Sequence, residues 1–316
     1  MYSYENNNKV RDLIEARRQN ARRISEERSL EVAFKSPEIA AIDSELRKTA
    51  SLIMKAAIAG EDITPIKDRN QALIKKRREL IVGLGLPEDY TDVKYTCPKC
   101  SDIGYTPDTK MCSCYKKLLI TENIKSSGIG RLIEEQSFEN FDLGVYSYSP
   151  EAYERMSQVL DKAKKYADSF SRSKCQNLLL IGKTGTGKTH ISTSIAKEII
   201  ERGFDVLYDS AVNIIAAFEN DKFRNGYSSA EPEANKYLEC DLLIIDDLGT
   251  EFGGPFTVSC LYNLFTTRKN RGLSTIISTN LGSKQLLEKY EDRIYSRIVG
   301  KDYTILLFEG KDNRLN

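Results

Sequence analysis

The chain has 316 residues, 40% of them hydrophobic and 29% charged, with 47 Lys and Arg against 46 Asp and Glu and a net charge of +1. This composition suits a globular protein of one large or two modest domains, and it leaves any nucleic-acid-binding surface to local patches of charge. The amino terminus has no apolar signal core, and the longest apolar runs, such as Leu242–Ile245 and Ile305–Phe308, are strand-sized and too short for a bilayer; a cytoplasmic location, no membrane partner and few disulfides are expected.

Residues 1–94 read as a helical region. Residues 1–35 are charged, with Arg17-Arg18 and Arg22-Arg23 balanced by Glu15, Glu26 and Glu27, the pattern of a solvated helix face. Ile39, Ile42, Leu46 and Ile53 then follow helical spacing up to Gly60. Thr64 is the expected N-cap of a second helix with Pro65 at its first position, and Ile66, Leu73 and Leu80 repeat at seven up to Gly83. The short Gly-Glu-Asp-Ile turn between them predicts an antiparallel helical hairpin.

Residues 95–117 form a cysteine module. Cys97 and Cys100 make a C-x2-C pair, and Cys112 and Cys114 a C-x-C pair eleven residues later. Four thiolates on two tight turns surround one Zn²⁺ tetrahedrally and leave no open position for a substrate, so the expected site is structural. A redox C-x-x-C would explain one pair and leave the other idle. Cys175, Cys240 and Cys260 are isolated and read as inert thiols. Residues 118–136 read as a linker, with Ser126-Ser127-Gly128-Ile129-Gly130 as its flexible part.

From residue 137 to 316 strands and helices alternate. Strands are expected at 177–181, 204–208, 241–245, 274–279 and 303–308, which predicts an α/β domain with a parallel five-stranded sheet covered on both faces. Between the first strand and the next helix lies Gly182-Lys183-Thr184-Gly185-Thr186-Gly187-Lys188-Thr189, a complete G-x-x-x-x-G-K-T loop. Its glycines let backbone N–H groups turn toward phosphate oxygens, and the helix that follows aims its positive dipole end at the same point. Lys188 is expected on the β- and γ-phosphates and the Thr189 hydroxyl on Mg²⁺. The apolar strand Leu242–Ile245 ends in Asp246, placed for the Mg²⁺ shell, and Asp247, the candidate to orient the attacking water. The strand Ser274–Thr279 ends at Asn280, which would face the γ-phosphate if this strand lies between the two motif strands. Arg293 and Arg297 fall four apart on one helix face, and Arg314 follows the last strand. The segment holding Lys222, Phe223, Arg224 and Tyr227 interleaves basic and aromatic residues, as single-strand binding requires, although an ordinary amphipathic helix ending at Gly226 would look the same.

These pieces together resemble the DnaC/DnaI-type replicative helicase loaders, a branch of the AAA+ ATPases. The match runs through Ser137-Phe138-Glu139-Asn140-Phe141, Gly182–Thr189, Leu242–Asp247, Ser278-Thr279-Asn280, Asp292–Ile298 and Lys311-Asp312-Asn313-Arg314, about 180 residues. The resemblance implies that Ser137–Phe141 lies near an adenine pocket, that Asn280 is sensor 1, that Arg293 is an arginine finger for a neighbouring subunit's ATP, and that Arg314 is sensor 2. It leaves the role of Arg297 open. It further implies ATP, Mg²⁺ and Zn²⁺ as cofactors, self-association through the AAA+ domain, single-stranded DNA as a ligand at the Lys222–Tyr227 segment, and a hexameric replicative helicase held by the amino-terminal helices and zinc module. Asp247 stands where most AAA+ proteins carry glutamate, and the eight residues after the last strand leave no room for a helical C-terminal lid; both fit the loader branch. An IstB-like transposition helper shares the same core, but such helpers usually lack the four-cysteine module. A non-enzymatic adaptor with a merely structural ATP site is opposed by the intact Lys188, Thr189 and Asp246.

Overall fold

The computed structural model describes residues 3–59, 62–223 and 232–310. The chain divides into two compact units, one of residues 11–115 and one of residues 1–10 with 116–316. No helix among the described residues is long and apolar enough to cross a membrane.

The unit of residues 11–115 contains most of α1 (Tyr4–Lys35), then α2 (Pro37–Ala59) and α3 (Thr64–Gly83). The charged face of α1 is solvated as expected, with Arg23 bonded to Glu27 at 2.5 Å and Lys35 to Glu31 at 2.6 Å. Helices α2 and α3 pack together as the expected hairpin. Among the described residues, Val32, Ile39 and Ile81 form a fully buried apolar cluster, and Ile14, Ile42 and Ala56 are buried as well. Polar ties do much of the remaining work, including the half-buried Arg77–Asp43 ion pair at 2.6 Å and the Ser25 hydroxyl donating to the Thr91 carbonyl at 2.6 Å. Thr64 is not the cap of α3. It is the first helical residue, and the Asp62 carboxylate accepts its N–H at 2.9 Å, because an aspartate two residues upstream reaches that free donor.

The second unit holds α4 (Ser113–Ser126, from Lys116 on), α5 (Leu132–Glu135), a 3-10 turn (Leu143–Tyr146), α6 (Pro150–Ser169), β1 (Asn177–Gly182), α7 (Lys188–Glu201), β2 (Val206–Ser210), α8 (Ala211–Lys222), α9 (Asn235–Glu239), β3 (Leu242–Asp246), α10 (Pro255–Asn270), β4 (Ser274–Thr279), α11 (Ser283–Ile298) and β5 (Tyr303–Phe308). The strands form one wholly parallel sheet in the order β2-β3-β4-β1-β5. Side chains alternate across it. Leu178, Leu180, Ile244 and Ile276 face α6 and α7 in one apolar core. Leu179, Leu243, Ile245 and Ile277 face α8, α10 and α11 in the other.

Residues 118–136 are not a linker but part of this unit. Helix α4 runs to Ser126, Leu119 and Ile129 are buried, and Ser127 is fully enclosed. The Tyr208 N–H donates to the Ser127 carbonyl at 2.6 Å, so the segment covers the free edge of β2. Gly128 is required there: at φ +78 its Cβ would stand 2.3 Å from the Tyr208 carbonyl oxygen. The glycines that suggested flexibility in the sequence serve close packing instead.

Candidate nucleotide site and cysteine centre

The phosphate loop leaves β1, an interior strand between β4 and β5, and runs into the first turn of α7. Gly185 and Gly187 have φ +75 and +87, in the left-handed region that disfavours side chains. Gly182 is needed for a different reason: a Cβ would lie 2.4 Å from the Phe308 carbonyl of the neighbouring strand. The Lys188 ammonium donates to the carbonyls of Gly182 at 2.7 Å and Lys183 at 2.8 Å, and the Thr186 hydroxyl to Lys183 at 2.8 Å. The loop is therefore wrapped around its own lysine, with Thr189 beside it on α7.

A cleft of about 290 Å³ opens over this loop, and its walls include Asn140, Phe141, Tyr146, Lys188, Thr189 and Asp247. Phe141 and Tyr146 stack at 6.0 Å, and the Tyr146 hydroxyl donates to the Thr186 carbonyl at 3.1 Å. His190 lies on α7, where its ring nitrogen meets the Ser137 carbonyl at 2.9 Å and the Asn140 side chain at 3.1 Å. An aromatic wall on one side and phosphate-loop amides on the other suit a base and a triphosphate.

Asp246 ends β3 with both carboxylate oxygens held. Ser278 donates to Oδ1 at 2.5 Å, and the Tyr208 hydroxyl donates to Oδ2. Burial, with the Asp246 charge next, pushes the Tyr208 phenol far above its ordinary pKa, so it stays a donor. Each carboxylate oxygen keeps a lone pair for a hydrated Mg²⁺. Asp247 follows at φ +51, with its N–H bonded to the Ser278 hydroxyl at 2.9 Å. Neither Tyr208 nor Ser278 was singled out as a partner of Asp246 from the sequence. The available signals were the Ser-Thr-Asn run and the register that puts Tyr208 opposite Ile244, two residues before Asp246.

Strand β4 does lie between β3 and β1, and Asn280 is exposed one residue beyond the Ile181–Thr279 pair. Arg293 and Arg297 are not among the residues lining the cleft. Both guanidiniums stack on Tyr262, at 4.2 and 4.1 Å from the ring centre. They differ in tethering: Arg297 also donates to the Thr266 hydroxyl at 3.4 Å and the Arg293 carbonyl at 2.8 Å. Lys222 and Phe223 are exposed at the end of α8, with the Lys222 ammonium 4.7 Å from the Phe256 ring centre. Arg224, Tyr227 and Arg314 lie outside the described residues.

In the other unit the four sulfurs of Cys97, Cys100, Cys112 and Cys114 lie within 4.8 Å of one another. Cys97–Cys112 and Cys100–Cys114 are 3.8 and 3.5 Å apart. A tetrahedron with Zn–S bonds of about 2.3 Å has edges of about 3.8 Å, so the sulfurs fit Zn²⁺. The backbone N–H of Cys114 leads in pulling the Cys112 thiol down to about 7, while burial pushes Cys114 up. Asp102, buried at φ +51, accepts the N–H groups of Thr96 at 2.8 Å and Cys97 at 2.9 Å and fixes the first turn. Gly104 at φ +88 packs against the Tyr115 ring and accepts the Cys112 N–H at 2.9 Å, which fixes the second.

A phosphate loop at the end of the interior strand β1, an acidic pair at the end of β3 and the polar-ended β4 between them define a P-loop ATP-binding protein. Residues 127–298, more than half of the chain, match the family described as IstB-like ATP binding protein, and the chain belongs to that family. It is homologous to the replicative helicase loader DnaC of Escherichia coli K12, with 29% identity over 172 residues, 54% of this chain and 66% of that protein. The match thus spans just under two thirds of the length of DnaC. An uncharacterized Escherichia coli K12 protein, YdaV, is 25% identical over 183 residues, 58% of this chain and 69% of its own. Among solved structures, the crystal structure of DnaI aligns with 59% of this chain and 95% of its own, at 20% identity and a TM-score of 0.47.

Proposed function

We propose that this protein is an ATP-dependent loader of a replicative DNA helicase onto single-stranded DNA. The observation that carries this reading is the 29% identity to the loader DnaC, in a chain whose cleft unites Lys188, Thr189 and Asp247. Thr189 and Asp246 would hold Mg²⁺, which neutralises phosphate charge when bound. Lys188 would leave the loop carbonyls for the β- and γ-phosphates, Asp247 would orient the attacking water, and Asn280 would sense the γ-phosphate. Arg293 has no phosphate to meet within its own cleft, which supports a role in the site of an adjacent copy. Sensor 2 is assigned to Arg314, and DNA contact to the Lys222–Tyr227 segment. Residues 1–94 and the zinc module of 95–117 would grip the hexameric helicase.

Co-purification with the host replicative helicase, with and without ATP, tests the partner. Asp247→Asn tests the chemistry: it should keep ATP binding and lose hydrolysis, and parental turnover in this variant would remove Asp247 from the mechanism. The family description favours one rival, a transposition helper. It would show no helicase capture and would instead bind a transposase.

A further inference from the structure

Glu251 is five residues beyond Asp246 and takes no part in the nucleotide chemistry above, yet it is only 3% exposed. One carboxylate oxygen accepts the Tyr290 hydroxyl and lies 3.3 Å from the Lys289 ammonium. The other accepts the Gly249 N–H at 2.9 Å. The same ammonium donates to the carbonyls of Gly249 at 2.5 Å and Glu251 at 2.8 Å. The loop after β3 is thus fastened to one turn of α11 by the buried Glu251 carboxylate, its ion pair with the partly exposed Lys289 and the hydrogen bonds around them. Removing one partner of such a pair strands the other charge, so loop and helix turn shift together more readily than they slip.

The fastening is flanked by two strained residues. Upstream is Asp247 at φ +51, whose carbonyl accepts the Thr250 N–H at 3.2 Å and the Thr250 hydroxyl at 2.8 Å. Downstream, immediately after Tyr290, α11 is broken at Glu291, with φ +57 and ψ 175. Arg293 begins the short helical stretch beyond that break. Positive-φ backbone at non-glycine residues is strained and clusters at ligand clamps and switch regions. A stiff element between two such places passes displacement from one to the other.

We propose that Glu251, Lys289 and Tyr290 form a latch that couples the nucleotide state sensed at Asp247 to the placement of the arginine-bearing end of α11. Glu251 is the positioning residue. A subunit would present Arg293 to its neighbour according to what its own cleft holds. This inference rests on the nucleotide-site reading above.

Hydrogen exchange of the full chain, with and without Mg²⁺ and a non-hydrolysable ATP analogue, tests it without reference to turnover. In the parent, the analogue should slow exchange in residues 182–190 and alter it in 291–298, each by roughly tenfold. Glu251→Gln should keep the first response and lose the second. Tyr290→Phe, which removes a single hydroxyl, should weaken the second and serves if Glu251→Gln does not fold. An unchanged response of 291–298 in these variants, or none in the parent, overturns the latch. No protection of 182–190 in the parent overturns the nucleotide reading, and the latch with it.

Discussion

In the nucleotide-binding unit, aliphatic side chains on both faces of a five-stranded sheet bury two continuous cores, whereas among the described residues of the unit of residues 11–115 the fully buried apolar cluster is Val32, Ile39 and Ile81. The first unit owes its shape to burial and would keep it without ligand. In the cysteine module the four sulfurs lie within 4.8 Å of one another, and on the proposed reading a cation between them would hold its turns. On that reading the Mg²⁺ site would follow from the fold, whereas the fold of the cysteine module would follow from its metal.

Metal removal should separate the two units most sharply. Apparent binding energies of about 10–16 kcal/mol are typical of structural Zn²⁺ sites, so the cysteine module should unfold when stripped. Chelation, Cys97→Ser or Cys112→Ser should release about one zinc per chain and abolish helicase capture, while ATP binding survives. Metal-free protein with four freely titratable thiols and intact helicase binding would erase the contrast.

A smaller effect, on rate, is expected at Arg293. A guanidinium supplied in trans is worth roughly 10³–10⁵ in rate, or about 4–7 kcal/mol. Helicase and DNA are expected to raise ATPase activity by gathering subunits, and Arg293→Ala should bind ATP normally but lose that rise. Mixing it with Lys188→Ala protein should restore part of that rise, since each variant supplies what the other lacks. A mixture as inactive as its components would argue against a shared site.

Core truncation comes next. Ile244→Ala, at a fully buried position, should cost about 2–5 kcal/mol in denaturant unfolding followed through nucleotide binding. Leu30→Ala, at a position 72% exposed on α1, should change stability by about 0.5 kcal/mol or less. Equal losses would contradict the burial and exposure assigned to the two positions.

The mildest test uses pH. Burial, with the neighbouring Asp241 charge next, raises the Asp205 carboxyl from 3.8 to about 6, against the lowering pull of Arg172. Between those values the folded chain holds a proton that the unfolded chain has released, so this group's contribution to stability falls as pH rises from 3.8 to about 6 and stays low above it. Asp205→Asn should match the parent near pH 4 and exceed it at pH 7 by about 2 kcal/mol. A difference independent of pH would show that Asp205 does not titrate in this way.

The sequence by itself determined the elements and the chemistry they carry. The positions of β1, β3 and β4 followed from short apolar runs, because a strand buried on both faces is apolar through most of its length, whereas the edge strand β2, expected at 204–208, lies two residues further on at Val206–Ser210 and ends in polar residues. The phosphate loop and the four cysteines were legible because each packs its chemistry into a short stretch of chain. Contacts between distant segments were not legible, because they depend on strand order and register. Only the tertiary structure decided that residues 118–136 seal the edge of β2, that Tyr208 and Ser278 hold Asp246, and that Tyr262 carries both Arg293 and Arg297. Glu251 is the clearest case: in sequence it is one acid among many, and burial against Lys289 and Tyr290, some forty residues away, gives it a distinct role.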